Sequence, residues 1–221
     1  GRQEGGARLL RLDGAGAGSH AVSAFDPATL AFYAAEAPVY TASGRSGTSR
    51  QIDCFLDRLE PGAHILELGC GGGIDAGHMI ERGFRVDPTD GVPEIAAKAE
   101  ARLGRPVRVM RFGELDAHER YDAIWAAASL LHVPRESLPD VLARIHRALK
   151  PGGWHFASYK GGGAEGRDGL GRYFNYLSAN EGRAFYEVAA DWARLDIEEG
   201  LGGGYDCVQG PWIRILARKR S

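Results

Sequence analysis

The run Glu67-Leu68-Gly69-Cys70-Gly71-Gly72-Gly73 puts four glycines within five positions. Glycine turns the backbone sharply and lets a ligand approach where a Cβ would clash. A plain tight turn needs only one or two, so the run points to a binding loop. Asp90 follows about 20 residues later, at the end of an expected strand, where a carboxylate can accept both ribose hydroxyls of an adenosine. The bland alternative is a loop aspartate capping the helix that starts at Pro93. Asp87 is a competing carboxylate three residues earlier, but Asp90 lies nearer the strand's end. Gly71-x-Gly73-x-x-Ala76 also fits the dinucleotide pattern G-x-G-x-x-G/A. These features alone do not choose the cofactor.

The elements that must hold these residues follow from apolar periodicity. Asp26 is a candidate N-cap with Pro27 at the first helical position, opening a helix through Leu30, Phe32 and Tyr33. A second helix is expected over 48–59, ended by Pro61-Gly62. Strands over 64–68, 84–87, 107–110, 121–125 and 154–158 then alternate with helices over 75–82, 93–103 and 134–149. Lys150-Pro151-Gly152-Gly153 reads as the turn into the fifth strand. Such alternation predicts an α/β fold with a mostly parallel sheet covered by helices on both faces. The tail differs: a glycine-rich loop over 161–171, a helix over 181–192, and strands over 193–199 and 212–217 that would pair as an antiparallel hairpin. Residues 1–24 read as a low-complexity segment and 25–221 as a single domain.

Bulk properties narrow the function. The 221 residues are 44% hydrophobic and 25% charged, as in a soluble globular chain. A formal net charge of -2 offers no basic field for nucleic acid. No apolar run approaches bilayer length, and the start lacks the pattern of a secretory signal. Cys54, Cys70 and Cys207 form no C-x-x-C pair, which suits reduced thiols in a cytoplasmic protein. The histidines show no ligand spacing, so no metal is expected.

The run Ile65 to Gly73 resembles motif I of the class I S-adenosylmethionine-dependent methyltransferases. Asp90-Gly91 resembles their acidic motif after the second strand, Tyr121 to Trp125 their fourth strand, and Leu149-Lys150-Pro151-Gly152-Gly153 their turn before the fifth. The likeness covers 30–160 well and the rest loosely. Ser129-Leu130-Leu131-His132-Val133-Pro134 resembles bacterial small-molecule members, some tied to tellurite resistance. The resemblance implies a Rossmann-like doubly wound sheet and S-adenosylmethionine as cofactor. It implies that Glu67, Gly69, Cys70, Gly71 and Gly73 hold the methionine end. Asp90 would hold the ribose, with Gly91 and Val92 near the adenine. Glu114 and Leu115 would flank the adenine, and Ala127 and Ser129 would lie beneath the sulfonium. Tyr40, with Tyr33, would cover the cofactor or else pack the first helix.

On the acceptor side the candidates are His132, Arg172 and Tyr173. His132 is either a base at the rim or a histidine satisfied by a hydrogen bond at a helix start. Arg172 and Tyr173 end the glycine-rich loop and either contact the acceptor or are solvated. The expected partner is a small-molecule methyl acceptor, with no nucleic acid or membrane, and a monomeric or homodimeric protein. Ala126-Ala127-Ala128-Ser129 replaces the Asn/Asp-Pro-Pro-Tyr/Phe signature of many enzymes that methylate amino groups of nucleic acids. The competing functions are a nicotinamide-dependent oxidoreductase and a catalytically silent cofactor-binding module.

Overall fold

Among the described residues, seven strands form one sheet in the order β3-β2-β1-β4-β5-β9-β8, numbered along the chain. The computed structural model describes residues 24–42, 47–205 and 208–221. The first five strands are β1 (His64–Leu68), β2 (Arg85–Asp90), β3 (Arg108–Val109), β4 (Tyr121–Ala126) and β5 (Leu149–Lys160), all parallel. The last two, β8 (Trp192–Gly203) and β9 (Gln209–Lys219), add as an antiparallel pair through β5. All five residues of β1 are buried, because helices cover both faces of a parallel sheet. On one face α5 (Leu138–Ala148) and α6 (Ala179–Ala189) pack through Leu142, Ile145 and Tyr186. On the other, α2 (Ile52–Leu56) and α3 (Ile74–Glu81) pack through Phe55 and Met79 onto Trp125 and Phe156.

The strand order reverses between β1 and β4, so their carboxyl ends open a crevice between diverging connections. The glycine loop, Asp90 and Ser129 all sit at that end. A roof is laid over it by α1 (Pro27–Ala42), which packs on α4 (Pro93–Leu103). Asp26 caps α1 as expected, its Oδ1 accepting the Thr29 N–H at 2.8 Å.

Four details differ from the sequence reading. The helix expected over 48–59 is only Ile52–Leu56. The Pro151-Gly152-Gly153 run lies inside β5, which starts at Leu149 opposite Tyr121 and resumes pairing after a register shift. Helix α6 starts at Ala179, because Ser178 and Glu181 form a reciprocal capping box. The glycine-rich loop carries a small antiparallel hairpin, β6 (Gly166–Arg167) and β7 (Tyr173–Phe174). Apart from Ala24, the expected low-complexity segment lies outside the described residues, as does Cys207.

Candidate active site

The glycine loop is stitched to β2. Gly69 and Cys70 both donate their N–H to the Thr89 carbonyl, at 2.9 and 2.8 Å. Gly69, Gly71 and Gly73 all take positive φ, where a side chain is strained. Asp90 completes the unit: its Oδ2 accepts the Gly71 N–H at 3.0 Å and its Oδ1 the Val92 N–H at 3.0 Å. The helix α4 has Val92 at its N-cap with no side-chain cap, so Asp90 braces the loop rather than capping the helix. The carboxylate accepts backbone N–H groups through both oxygens and keeps lone-pair capacity for a ligand. Burial pushes the Asp90 carboxyl up to about 6, against the N–H groups of Val92, Gly71 and Gly91.

Asp90 faces a cleft of about 640 Å³ including its open mouth. Its floor is Gly69, Gly71, Asp90 and Gly91; one wall is Met110, Arg111 and Phe112; the other is Ala128, Ser129 and His132. Phe25, Thr29, Leu30, Tyr33 and Tyr40 form the roof. Asp87 is not on the cleft. It pairs instead with His64 at 3.1 Å and accepts from Tyr121 at 3.1 Å, which removes it as the ribose competitor.

The family model described as the methyltransferase domain matches residues 65–153. This stretch is thus similar to methyltransferase domains. A protein-L-isoaspartate O-methyltransferase of Gloeobacter violaceus is 38% identical over 104 residues, 43% of this chain and 50% of its own length. A ubiquinone biosynthesis O-methyltransferase of Xanthomonas oryzae is 33% identical over 116 residues, 49% of this chain and 48% of its own. The chain thus spans about half the length of the curated relatives it matches. The structure of Burkholderia thailandensis 1,6-didemethyltoxoflavin-N1-methyltransferase superposes with a TM-score of 0.66 at 22% identity, over 86% of this chain and 88% of that one. That likeness establishes the fold.

Of the expected residues, Tyr40 from α1 and Gly69, Gly71, Asp90, Gly91 and Ser129 from the matched stretch come together on the cleft. Glu67 and Cys70 are buried behind the loop instead, off the cleft's lining. Burial, with the Glu67 and Asp90 charges, pushes the Cys70 thiol well above its usual range, so it stays neutral. Gly73 faces away from the cleft. A Cβ there would stand 3.2 Å from Leu103 of α4, so this glycine lets the helix start pack.

Glu114, Leu115 and Ala127 also need correction. Glu114 and Leu115 do not flank the cleft. Glu114 closes a short 3-10 turn, its Oε2 accepting the Arg111 N–H at 2.8 Å, and Leu115 is buried in the core. That turn carries the chain away, so Met110 to Phe112, immediately after β3, form the wall. Ala127 is likewise off the lining, packed against the Trp125 side of the core. The wall there is Ala128, held at φ 52 by a hydrogen bond from its N–H to Ser158 Oγ at 2.9 Å.

On the acceptor side His132 is on the cleft, but it is no free base. One ring nitrogen, Nδ1, meets the Tyr173 carbonyl at 2.6 Å and the other, Nε2, meets the Tyr33 hydroxyl at 3.0 Å. Burial pushes the ring down to about 4, so it is neutral. Arg172 is buried rather than solvated, and it does not line the cleft. It pairs with Asp168 at 2.6 Å and donates to the Tyr33 hydroxyl at 3.0 Å. Its guanidinium sits 5.2–5.7 Å from the ring centres of Phe32, Tyr33, Phe174 and Tyr205. The Tyr173 hydroxyl donates to Glu165 and accepts from the Arg135 N–H, so its side chain is also committed elsewhere.

Sequence reasoning missed Asp168 and Tyr205. Asp168 stands four residues before Arg172, a spacing that signals an ion pair only inside a helix. Tyr205 sits at the tip of the β8–β9 hairpin, brought over α1 by the length of both strands.

The site fits S-adenosylmethionine, the cofactor that the resemblance implies. Ser129 Oγ is buried with no hydrogen-bond partner among the described residues. An orphaned hydroxyl beside Gly69, with spare Asp90 lone pairs across the floor, suits a ligand carrying both ribose hydroxyls and an amino acid end.

Proposed function

We propose that this chain is an S-adenosylmethionine-dependent methyltransferase acting on a small-molecule acceptor. The observation that carries the reading is the union of Gly71 and Asp90 on the floor of the cleft. In this reading Asp90 holds the ribose, Gly69 and Gly71 receive the methionine end, and Met110 with Phe112 faces the adenine. The cofactor supplies an electrophilic methyl group on its sulfonium. The chain's residues orient both reactants and keep out water. The roof of α1 excludes solvent, and Ser129, Tyr33 and His132 define the side from which an acceptor arrives. A cleft roofed by a helix suits a small molecule better than a protein segment or a nucleic acid. The ubiquinone and toxoflavin enzymes, named for small molecules, support that choice.

The cytoplasm is the compartment we assign, supported by the absence of a pairing pattern among the cysteines. No helix among the described residues is long and apolar enough to cross a membrane. As to assembly, we propose a monomer or a homodimer. Calorimetry with S-adenosylhomocysteine and with NAD tests the cofactor: binding of the first alone is expected, and binding of NAD alone overturns the reading. Turnover of a labelled methyl donor then separates an enzyme from a silent binding module.

A further inference from the structure

Tyr33 is held between two groups of fixed polarity. Arg172 can only donate, so its Nη1, at 3.0 Å, takes one lone pair of the Tyr33 oxygen. At the far end the Tyr173 carbonyl can only accept, so at 2.6 Å it places the His132 proton on Nδ1. The ring is neutral and carries one proton, which leaves Nε2 bare. A bare Nε2 at 3.0 Å requires the Tyr33 O–H to point at it. The hydroxyl proton is thereby spent inside the wall, and the oxygen keeps a single lone pair. Both Tyr33 and the orphaned Ser129 line the cleft.

Resting on the methyltransferase reading, we propose that Tyr33 presents a hydrogen-bond acceptor to the substrate and selects methyl acceptors whose nucleophile is a neutral nitrogen bearing a hydrogen. An N–H aimed at the Tyr33 oxygen leaves the nitrogen lone pair for the methyl group. In the transfer the N–C bond forms as the S–C bond breaks, and the sulfur keeps that electron pair. The nitrogen becomes cationic and retains its hydrogens until the product loses a proton to water. Its N–H grows more acidic as charge develops, so the bond to Tyr33 strengthens in the transition state. No base is required. A thiolate or carboxylate has no hydrogen to give the Tyr33 oxygen and would set its charge against that lone pair. Phe32, Phe174 and Tyr205 hold Arg172, and with it the polarity of the whole chain of hydrogen bonds.

The test has two arms on the full chain with S-adenosylhomocysteine titrated in the same samples. The first is nitrogen NMR of the protein labelled in histidine. His132 protonated on Nδ1 and bare on Nε2 is expected, with a change in the Nε2 signal in Tyr33→Phe. A proton on Nε2 overturns the proposal, because Tyr33 would then be free to donate. The second follows labelled methyl transfer to aniline, phenol, thiophenol and benzoate. Transfer to aniline, reduced about ten- to hundredfold in kcat in Tyr33→Phe, is expected. Preference for phenol, thiophenol or benzoate over aniline overturns the proposal. Loss of S-adenosylhomocysteine binding in the wild type would count against the methyltransferase reading and leave the His132 result standing.

Discussion

Gly71 donates its backbone N–H to Asp90 across 3.0 Å, joining the glycine loop after β1 to the acidic end of β2. The two strongest sequence signals are one physical object. A perturbation at either end reaches the other.

Asp90→Ala should weaken S-adenosylhomocysteine binding by roughly 1.5–3 kcal/mol, the worth of hydrogen bonds to a charged acceptor. It should also lower the melting temperature, since the N–H groups of Gly71 and Val92 lose their partner. Asp87→Ala is the control, because its contacts with His64 and Tyr121 lie off the cleft. Calorimetry showing equal affinity losses in the two variants would refute the ribose role.

Affinity should fall with acid. Asp90 titrates at about 6 in the free protein, raised by burial. Ribose hydroxyls donate to the ionised form, so binding is flat above pH 7 and declines by up to about tenfold per unit below pH 6. The same shift has a cost for the unliganded fold. Between 3.8 and about 6 the folded state holds a proton the unfolded chain has lost, so stability from this group falls as pH rises through that window and stays lower above it. Asp90→Asn should remove both effects. Binding by the wild type that does not change from pH 7 to 5 would contradict this assignment.

Gly69→Ala should damage the site more than Gly71→Ala. A Cβ on Gly69 would lie 2.6 Å from the Ser129 Cβ, on backbone already at φ 75. At Gly71 the nearest atom is the Tyr40 hydroxyl, at an ordinary 3.5 Å, which leaves mainly the left-handed strain of about 1–2 kcal/mol. Larger branched side chains at Gly71 should still block the cofactor. Thermal melts and S-adenosylhomocysteine titrations of the two alanine variants check the order.

Arg172→Ala should destabilise the protein by about 3–5 kcal/mol, because Asp168 is left buried without its partner. Pairing it with Asp168→Asn should recover much of the loss. A solvated arginine reaching for the acceptor would behave differently: transfer would fall and the melting temperature would hold. Denaturant titration of the single and double variants distinguishes the two.

Much of this was legible along the chain, for reasons that can be named. The run from His64 to Gly73, the helix from Pro93 and the capping of α1 by Asp26 are local: glycine conformations, apolar periodicity and a side chain three residues from its N–H decide them. The parallel order and the position of the crevice follow from alternation of strand and helix, because each crossover has one favoured hand. Glu114, Leu115 and Ala127 were misplaced because a 3-10 turn and a left-handed Ala128 rotate the chain by a residue or more, and no local signal announces either. On the acceptor side the sequence brought up Tyr33 and His132, which do line the cleft, but not how they are held. Tyr33, His132, Arg172 and Asp168 come from three distant segments, and their protonation and hydrogen-bond direction depend on what surrounds them. Spacing along a chain cannot reveal a histidine held neutral by burial or an arginine caged by four rings. Those properties exist only once tertiary packing has removed the water that would otherwise satisfy each group.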